Sequence, residues 1–345
     1  MKFYLKQHIV LVVIFVFLLL SFSGCGKTDK EVPEGESNNL SIVTTIFPQY
    51  DFAKQISGGK ADVAMLLKPG AESHSYEPTP QDIKTIQNAD LFIYVGGEND
   101  VWVEDILGSM KEKKPKTLKL LDCVSTVEEE IVEGMEHEHE DAHDADVNES
   151  EEGDHDHEAE LEESDHEHEG EVDEHVWTSP KNVIKIAEKI TEAMSEADSE
   201  NAAFYSENSA EYTKQLETLD AEFREIVKNS KRKTILFGDR FPFRYLAEEY
   251  GLEYHAAFSG CATDTEASAA TVAFLIDKVK EEKLPVVFTI EFSNGKIADS
   301  ICTATGAKKL MLHSCHNLSK EELENGESYL SLMAKNAENL KEALN

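Results

Sequence analysis

Residues 200–227, ENAAFYSENSAEYTKQLETLDAEFREIV, contain neither glycine nor proline, and Leu216, Leu219, Phe223 and Ile226 recur at spacings of three and four. Such spacing puts apolar side chains on one stripe of an α-helix. The stretch predicts a single helix more than about 35 Å long at 1.5 Å per residue, starting near Asp198 or Ser199. Ser41 to Ile46, Val63 to Leu67, Leu91 to Val95 and Thr117 to Leu121 precede it, and Thr234 to Phe237, Leu252 to Phe258, Val286 to Glu291 and Lys309 to Leu312 follow it. These short β-branched or aliphatic runs alternate with helical patterns and read as strands. The expected fold is α/β: two α/β lobes joined by one long spine helix, which permits little hinge bending.

The domain reading follows: an N-terminal lobe over 41–197, the spine over 198–230 and a C-terminal lobe over 231–345. Ahead of them, Met1 to Cys25 carries Lys2 and Lys6, an apolar run from Ile9 to Leu20, then Ser-Phe-Ser-Gly-Cys. That is the pattern of an export signal, too short to span a bilayer as a permanent helix. Phe22-Ser23-Gly24-Cys25 resembles a bacterial lipobox, with Phe22 where leucine is usual. Cys25 is therefore the expected lipidation site, and the chain is expected outside the cytoplasm, anchored to the bacterial cell membrane. Residues 26–40 are polar, as a flexible tether would be.

The formal net charge of −36 is concentrated: residues 128–174 hold 25 of the 69 acidic residues, and no Lys or Arg lies between Lys119 and Lys181. Without that insert the chain is only moderately acidic, and nothing in it is basic enough to bind nucleic acid. Inside the insert, His137, His139, His143, His155, His157, His166 and His168 alternate with carboxylates and almost no apolar residues. Such a tract is expected to be disordered without metal and to collect cations weakly, since imidazoles suit Zn, Cu and Ni and the surrounding charge concentrates cations. His139-Glu140-Asp141-Ala142-His143 matches the H-E-x-x-H zinc-protease pattern, but no amphipathic helix surrounds it, as that chemistry requires. Asp144 to Asn148 begins like a calcium loop, but Glu149 stands where that loop needs glycine.

Two phrases carry the functional reading. His74-Ser-Tyr-Glu-Pro-Thr-Pro and His175-Val-Trp-Thr-Ser-Pro each place a histidine a few residues before a hydroxyl residue and a proline, Thr79-Pro80 and Ser179-Pro180. Hydroxyl N-caps followed by proline start helices, and Thr79-x-x-Asp82 has capping-box spacing. Both histidines then sit on loops entering helices, where binding groups commonly lie, and imidazole is the commonest metal ligand.

Taken in order, Lys68-Pro69-Gly70 before His74, Tyr76-Glu77-Pro78-Thr79-Pro80 after it, the His-rich insert, Trp177-Thr178-Ser179-Pro180 after His175 and the spine resemble the zinc- and manganese-binding solute receptors of bacterial ABC transporters. The resemblance covers most of Ser41 to Leu344. It implies one metal in the cleft between the lobes, with His74 and His175 as N-lobe ligands. Where that family often has His or Glu after the first C-lobe strand, this chain has Phe237-Gly238-Asp239-Arg240-Phe241, and Asp239 is the nearby candidate. The family's acidic ligand at the end of the last strand matches His313 here, with His316 next in rank. Glu291 ends a strand and ranks below His313. His255, inside a strand, reads as a packed, hydrogen-bonded residue, and Thr263-x-x-Glu266 as a capping box.

Beyond Cys25, the cysteines are Cys123, Cys261, Cys302 and Cys315, and an oxidising compartment allows three complete pairings. A Cys261–Cys315 bridge near the cleft floor is one expectation, a Cys315 thiolate ligand the other. The resemblance implies a receptor, expected to be a monomer, that captures Zn²⁺ and passes it to an ABC permease driven by a cytoplasmic ATPase, with no reaction catalysed. The chain itself has no Walker A motif. A manganese receptor, a metal-dependent extracellular hydrolase and a cell-surface adhesin are the alternatives.

Overall fold

The computed structural model describes residues 39–72, 76–110, 114–135, 171–262 and 266–345. Cys25, the signal segment, residues 26–38 of the expected tether, His74, Thr263 and the histidines of the acidic tract lie outside the described residues, and Leu40, expected at the end of the tether, already belongs to the first strand.

The N-terminal lobe runs β1 (Leu40–Thr44), α1 (Phe47–Ser57), β2 (Ala61–Met65), α2 (Pro80–Asn88), β3 (Leu91–Tyr94), α3 (Val101–Ser109), β4 (Lys116–Lys119) and α4 (Pro180–Ala197). Its strands pair in parallel in the order β2-β1-β3-β4. After α5 (Ala202–Lys228), the C-terminal lobe runs β5 (Thr234–Phe241), α6 (Arg244–Tyr250), β6 (Glu253–Ser259), α7 (Ala269–Glu282), β7 (Val286–Thr289), α8 (Lys296–Thr305), β8 (Lys308–Met311), α9 (Lys320–Glu324) and α10 (Tyr329–Leu344). Its sheet is also parallel, in the order β6-β5-β7-β8. Central strands such as Leu91–Tyr94 and Val286–Thr289 are buried at every position. That is why they read as continuous apolar runs: helices cover both faces of a parallel sheet.

The spine α5 has 27 residues, roughly 40 Å at the helical rise. Its buried positions Tyr205, Ser209, Tyr212, Leu216, Leu219, Phe223 and Ile226 alternate steps of four and three along one stripe. Phe52 of α1 meets Tyr329 of α10 edge-on at 5.2 Å and Tyr212 of the spine at 6.3 Å, so both lobes and the spine share one aromatic cluster. Phe223 stacks on Tyr250 at 5.3 Å at the C-lobe end. One apolar core thus runs through both lobes.

The chain segment after β8 stitches the lobes together. Trp177 Nε1–H donates to Ser314 O at 2.8 Å, Tyr329 O–H to Trp177 O at 2.7 Å, Gly70 N–H to Leu318 O at 2.7 Å, and Asn317 Nδ2 to Lys68 O and Ala71 O at 2.7 and 2.9 Å. On the other side, Val127 O accepts from Asp173 N–H and Glu171 O from Glu129 N–H, which pairs the chain entering the acidic tract with the chain leaving it. Glu129 then accepts from Cys261 N–H at 2.9 Å, and Tyr245 O–H donates to Asp173 O at 2.7 Å.

Two sequence expectations need correcting. Helix α7 starts at Ala269 with Ser268 accepting from Thr271 N–H, so Glu266 precedes the cap and is not the N3 member of a capping box. Cys123, Cys261, Cys302 and Cys315 all carry free thiols. The Cys261–Cys315 bridge does not form: the Cys315 thiol is turned into the core, with Sγ 3.7 Å from His313 O, whereas Cys261 is only partly buried and its N–H donates to Glu129.

Candidate metal centre

His175 is wholly buried and opens the short 3₁₀ turn Val176–Thr178 that leads into α4. The helix start is built as the motif predicts, with Ser179 Oγ accepting from Asn182 N–H. At the other phrase, Thr79 and Asp82 form a reciprocal capping box at the start of α2. Asp173 holds His175 twice, accepting from its backbone N–H at 2.8 Å and lying 3.0 Å from Nδ1. Burial of the ring disfavours its charged form, but the Asp173 carboxylate, helped by Glu174 and Glu129, offsets burial and raises the His175 pKa. Gly260 closes over the ring: a Cβ there would lie 3.0 Å from His175 Cε1 and 3.0 Å from Phe241 O.

His316 comes from the opposite lobe and meets this ring. The His175 and His316 centroids are 4.6 Å apart with planes at 85°, and Trp177 stands against His316 at 5.0 Å. His316 Nδ1 lies 2.8 Å from Ser314 Oγ. Glu291 Oε2 accepts from Ser314 N–H at 2.7 Å and its Oε1 from Ser314 Oγ at 2.5 Å. His316 lines two adjoining cavities, one with Tyr76, Asp100, Glu174 and Trp177, the other with Glu72, Arg240, Gly260 and Glu291. Burial pushes the Asp100 carboxyl up to about 6 and also raises Glu174, which accepts from Asn99 N–H and Nδ2.

The other candidates border this cluster without joining the pair of rings, and Glu291 Oε1 lies 3.7 Å from His313 Nδ1. His313 is buried beneath the site: its N–H donates to Asn336 Oδ1 at 2.7 Å, Nδ1 accepts from Cys315 N–H at 2.9 Å, and Nε2 faces Glu322 at 3.6 Å. Cys315 packs in the core beside it. Asp239 accepts from Arg240 N–H and lines a neighbouring cavity with Glu72, Arg240, Phe292 and Ser293; that cavity shares Glu72, Arg240 and Phe292 with the second cavity of His316 but is lined by neither His175 nor His316. Burial raises its carboxyl. His255 is held by Glu282 at 3.0 Å and lies against Phe274, a packed strand histidine.

The residue of that stretch that does reach the cleft is Arg240. The β5–β6 register slips between Phe237 and Arg240, and such a bulge reverses which side chains face inward. Gly238, inside that stretch, lets α8 pack close against the strand, since a Cβ there would come within 2.6 Å of Ala298 backbone. Arg240 forks onto Glu72 at 3.2 and 3.5 Å across the cleft and donates to Ala262 O. Sequence reading passed over Arg240, Asp173 and Ser314. Only the run Asp173-Glu174-His175, a carboxylate two residues before a ligand candidate, carried a signal. Among the described residues, no three His, Cys, Asp or Glu side chains converge tightly enough to hold an ion by themselves.

Two parallel α/β lobes on a rigid helix, with histidines meeting across the cleft, define a two-lobed solute receptor. Residues 42–343 match the family described as zinc-uptake complex component A, periplasmic (ZnuA), and this chain belongs to that family. It is 34% identical over 328 residues to the high-affinity zinc uptake system protein ZnuA of Bacillus subtilis, covering 95% of this chain and 94% of that protein. It is 34% identical over 304 residues to the zinc-binding lipoprotein AdcA of Streptococcus pneumoniae, covering 88% of this chain and 55% of AdcA. Two crystal structures resemble it over 89% of its length: the Zn(II)-bound ZnuA-like domain of S. pneumoniae AdcA (TM-score 0.68, 30% identity, 99% of that chain) and the metal-dependent lipoprotein YcdH of B. subtilis (TM-score 0.70, 31% identity, 100% of that chain). Members of this family are substrate-binding receptors and not enzymes.

Proposed function

We propose that this chain captures Zn²⁺ between its lobes and delivers it to a membrane permease energised by a separate ATPase, with the cation as cargo. The observation that carries the reading is the approach of His175 and His316 from opposite lobes to 4.6 Å in a largely buried cleft. His74 is the proposed third ligand. Its described neighbours Glu72 and Tyr76 each line a cavity that His316 also lines. Three imidazoles plus one water or carboxylate make a roughly tetrahedral shell, which suits zinc better than manganese. His316 is preferred to His313 because His313 is engaged by Cys315 N–H and Glu322.

Cys25 is the proposed lipid anchor, and the acidic histidine tract the proposed weak collector feeding the cleft. The paired neck of that tract ends at Asp173, two residues before His175, so ions gathered there have a short path to the cleft. Competitive zinc titration of protein lacking the signal and residues 136–171 tests the reading: one tight site should remain while total bound metal falls. Loss of the tight site with the tract would place the cargo site in the tract instead.

A further inference from the structure

We infer that Glu291 and Ser314 are positioning residues that set the tautomer of His316, and so decide which ring nitrogen meets the cargo ion; this rests on the metal-receptor reading of the cleft. A carboxylate only accepts hydrogen bonds, and a serine hydroxyl has a single hydrogen to give. Glu291 takes both donors of one residue, Ser314 N–H at 2.7 Å and Ser314 Oγ–H at 2.5 Å. The hydroxyl hydrogen is therefore committed to Glu291. Toward His316 Nδ1, 2.8 Å away, Oγ presents a lone pair, and Nδ1 must be the donor. In the neutral ring the lone pair then sits on Nε2.

The hydroxyl cannot readily turn away. Ser314 is 1% exposed, and its backbone is held from both sides, N–H by Glu291 and C=O by Trp177 Nε1–H. Both oxygens of Glu291 accept from Ser314, and Oε1 also lies 3.7 Å from His313 Nδ1, so the carboxylate is held within this cluster and acts on His316 through the serine. The N-terminal lobe reaches the same end directly, since the Asp173 carboxylate 3.0 Å from His175 Nδ1 makes that nitrogen a donor and leaves the lone pair on Nε2. Each lobe thus has its own carboxylate device for presenting Nε2, one direct and one relayed through a hydroxyl. Carboxylate partners of this kind orient metal-binding imidazoles and raise their basicity.

The relay makes a sharp prediction for an isosteric change. In Glu291→Gln, the amide oxygen must still accept from Ser314 N–H, so its NH₂ faces Oγ and donates to it. The hydroxyl hydrogen then swings to His316, and the ring is forced into the opposite tautomer. Long-range ¹H–¹⁵N NMR of the metal-free protein at mildly alkaline pH reads this without zinc. Wild type and Ser314→Thr should show His316 protonated on Nδ1, Glu291→Gln on Nε2, and Ser314→Ala a mixture. Zinc affinity should fall about 10- to 100-fold in Glu291→Gln and Ser314→Ala and recover in Ser314→Thr. An Nε2-protonated wild type, or an unchanged tautomer in Glu291→Gln, overturns the relay even if zinc binding weakens. A tautomer that inverts with zinc affinity unchanged supports the relay and removes His316 from the ligand set.

Discussion

The imidazoles of His175 and His316 belong to opposite lobes, yet their centroids lie 4.6 Å apart with planes at 85°. An ion bound to both joins the two lobes through the loops that carry these rings, so its binding free energy adds to the stability of the whole fold. Free zinc at a thousandfold above the dissociation constant should stabilise the protein by about 4 kcal/mol. Calorimetry with zinc and with a chelator should show a raised melting temperature in wild type. The shift should shrink strongly in His316→Ala and persist in His255→Ala.

Arg240 and Glu72 bridge the same cleft on its outer side, with side-chain exposures of 12% and 41%. Because Glu72 is well exposed, the pair is worth roughly 1 kcal/mol or less to stability. Arg240→Ala should therefore fold normally. It should release zinc several-fold faster in chelator-chase stopped flow, and the charge swap Arg240→Glu with Glu72→Arg should restore part of the wild-type rate.

Gly260 is required by space alone. A Cβ there would press on His175 Cε1 and Phe241 O, both at 3.0 Å, and a packed interior gives way only at an energetic cost. Gly260→Ala should lose about 1 kcal/mol in chemical denaturation. Its zinc affinity should fall about tenfold, since a displacement this close to the ligand misaligns Nε2.

Asp51 couples the fold to pH. It accepts from Tyr329 N–H at the start of α10 and from Gln55 Nε2, and burial pushes its carboxyl up from 3.8 to about 6. The folded state therefore holds a proton that the unfolded chain releases between about pH 4 and pH 6. Stability from this group is greatest below that window and falls as pH rises through it, by up to roughly 3 kcal/mol. Denaturation of wild type and Asp51→Asn at several pH values should show that part of the slope missing from the variant.

Most of the architecture was legible because its signals are local. Buried parallel strands such as Leu91–Tyr94 are apolar throughout, and the spine declares itself by its alternating steps of three and four. His175 was legible through the Ser179-Pro180 helix start that follows it. The C-lobe half of the site was harder for two backbone reasons. After Met311 the chain leaves its strand and Cys315 turns left-handed, so strand alternation no longer says which of His313 and His316 faces the cleft. The bulge at Gly238 likewise brings Arg240 inward in place of Asp239. Ser314 and Glu291 are 23 residues apart in sequence, and nothing in either stretch announces the contact.

Zinc affinity, measured by competition on protein lacking the acidic tract, tests the central claim most directly when His175→Ala, His316→Ala and His313→Ala are compared with wild type. One tight site in wild type, lost in the first two variants and retained in His313→Ala, is the expected result. Wild-type affinity in His316→Ala together with loss of the site in His313→Ala would contradict the account.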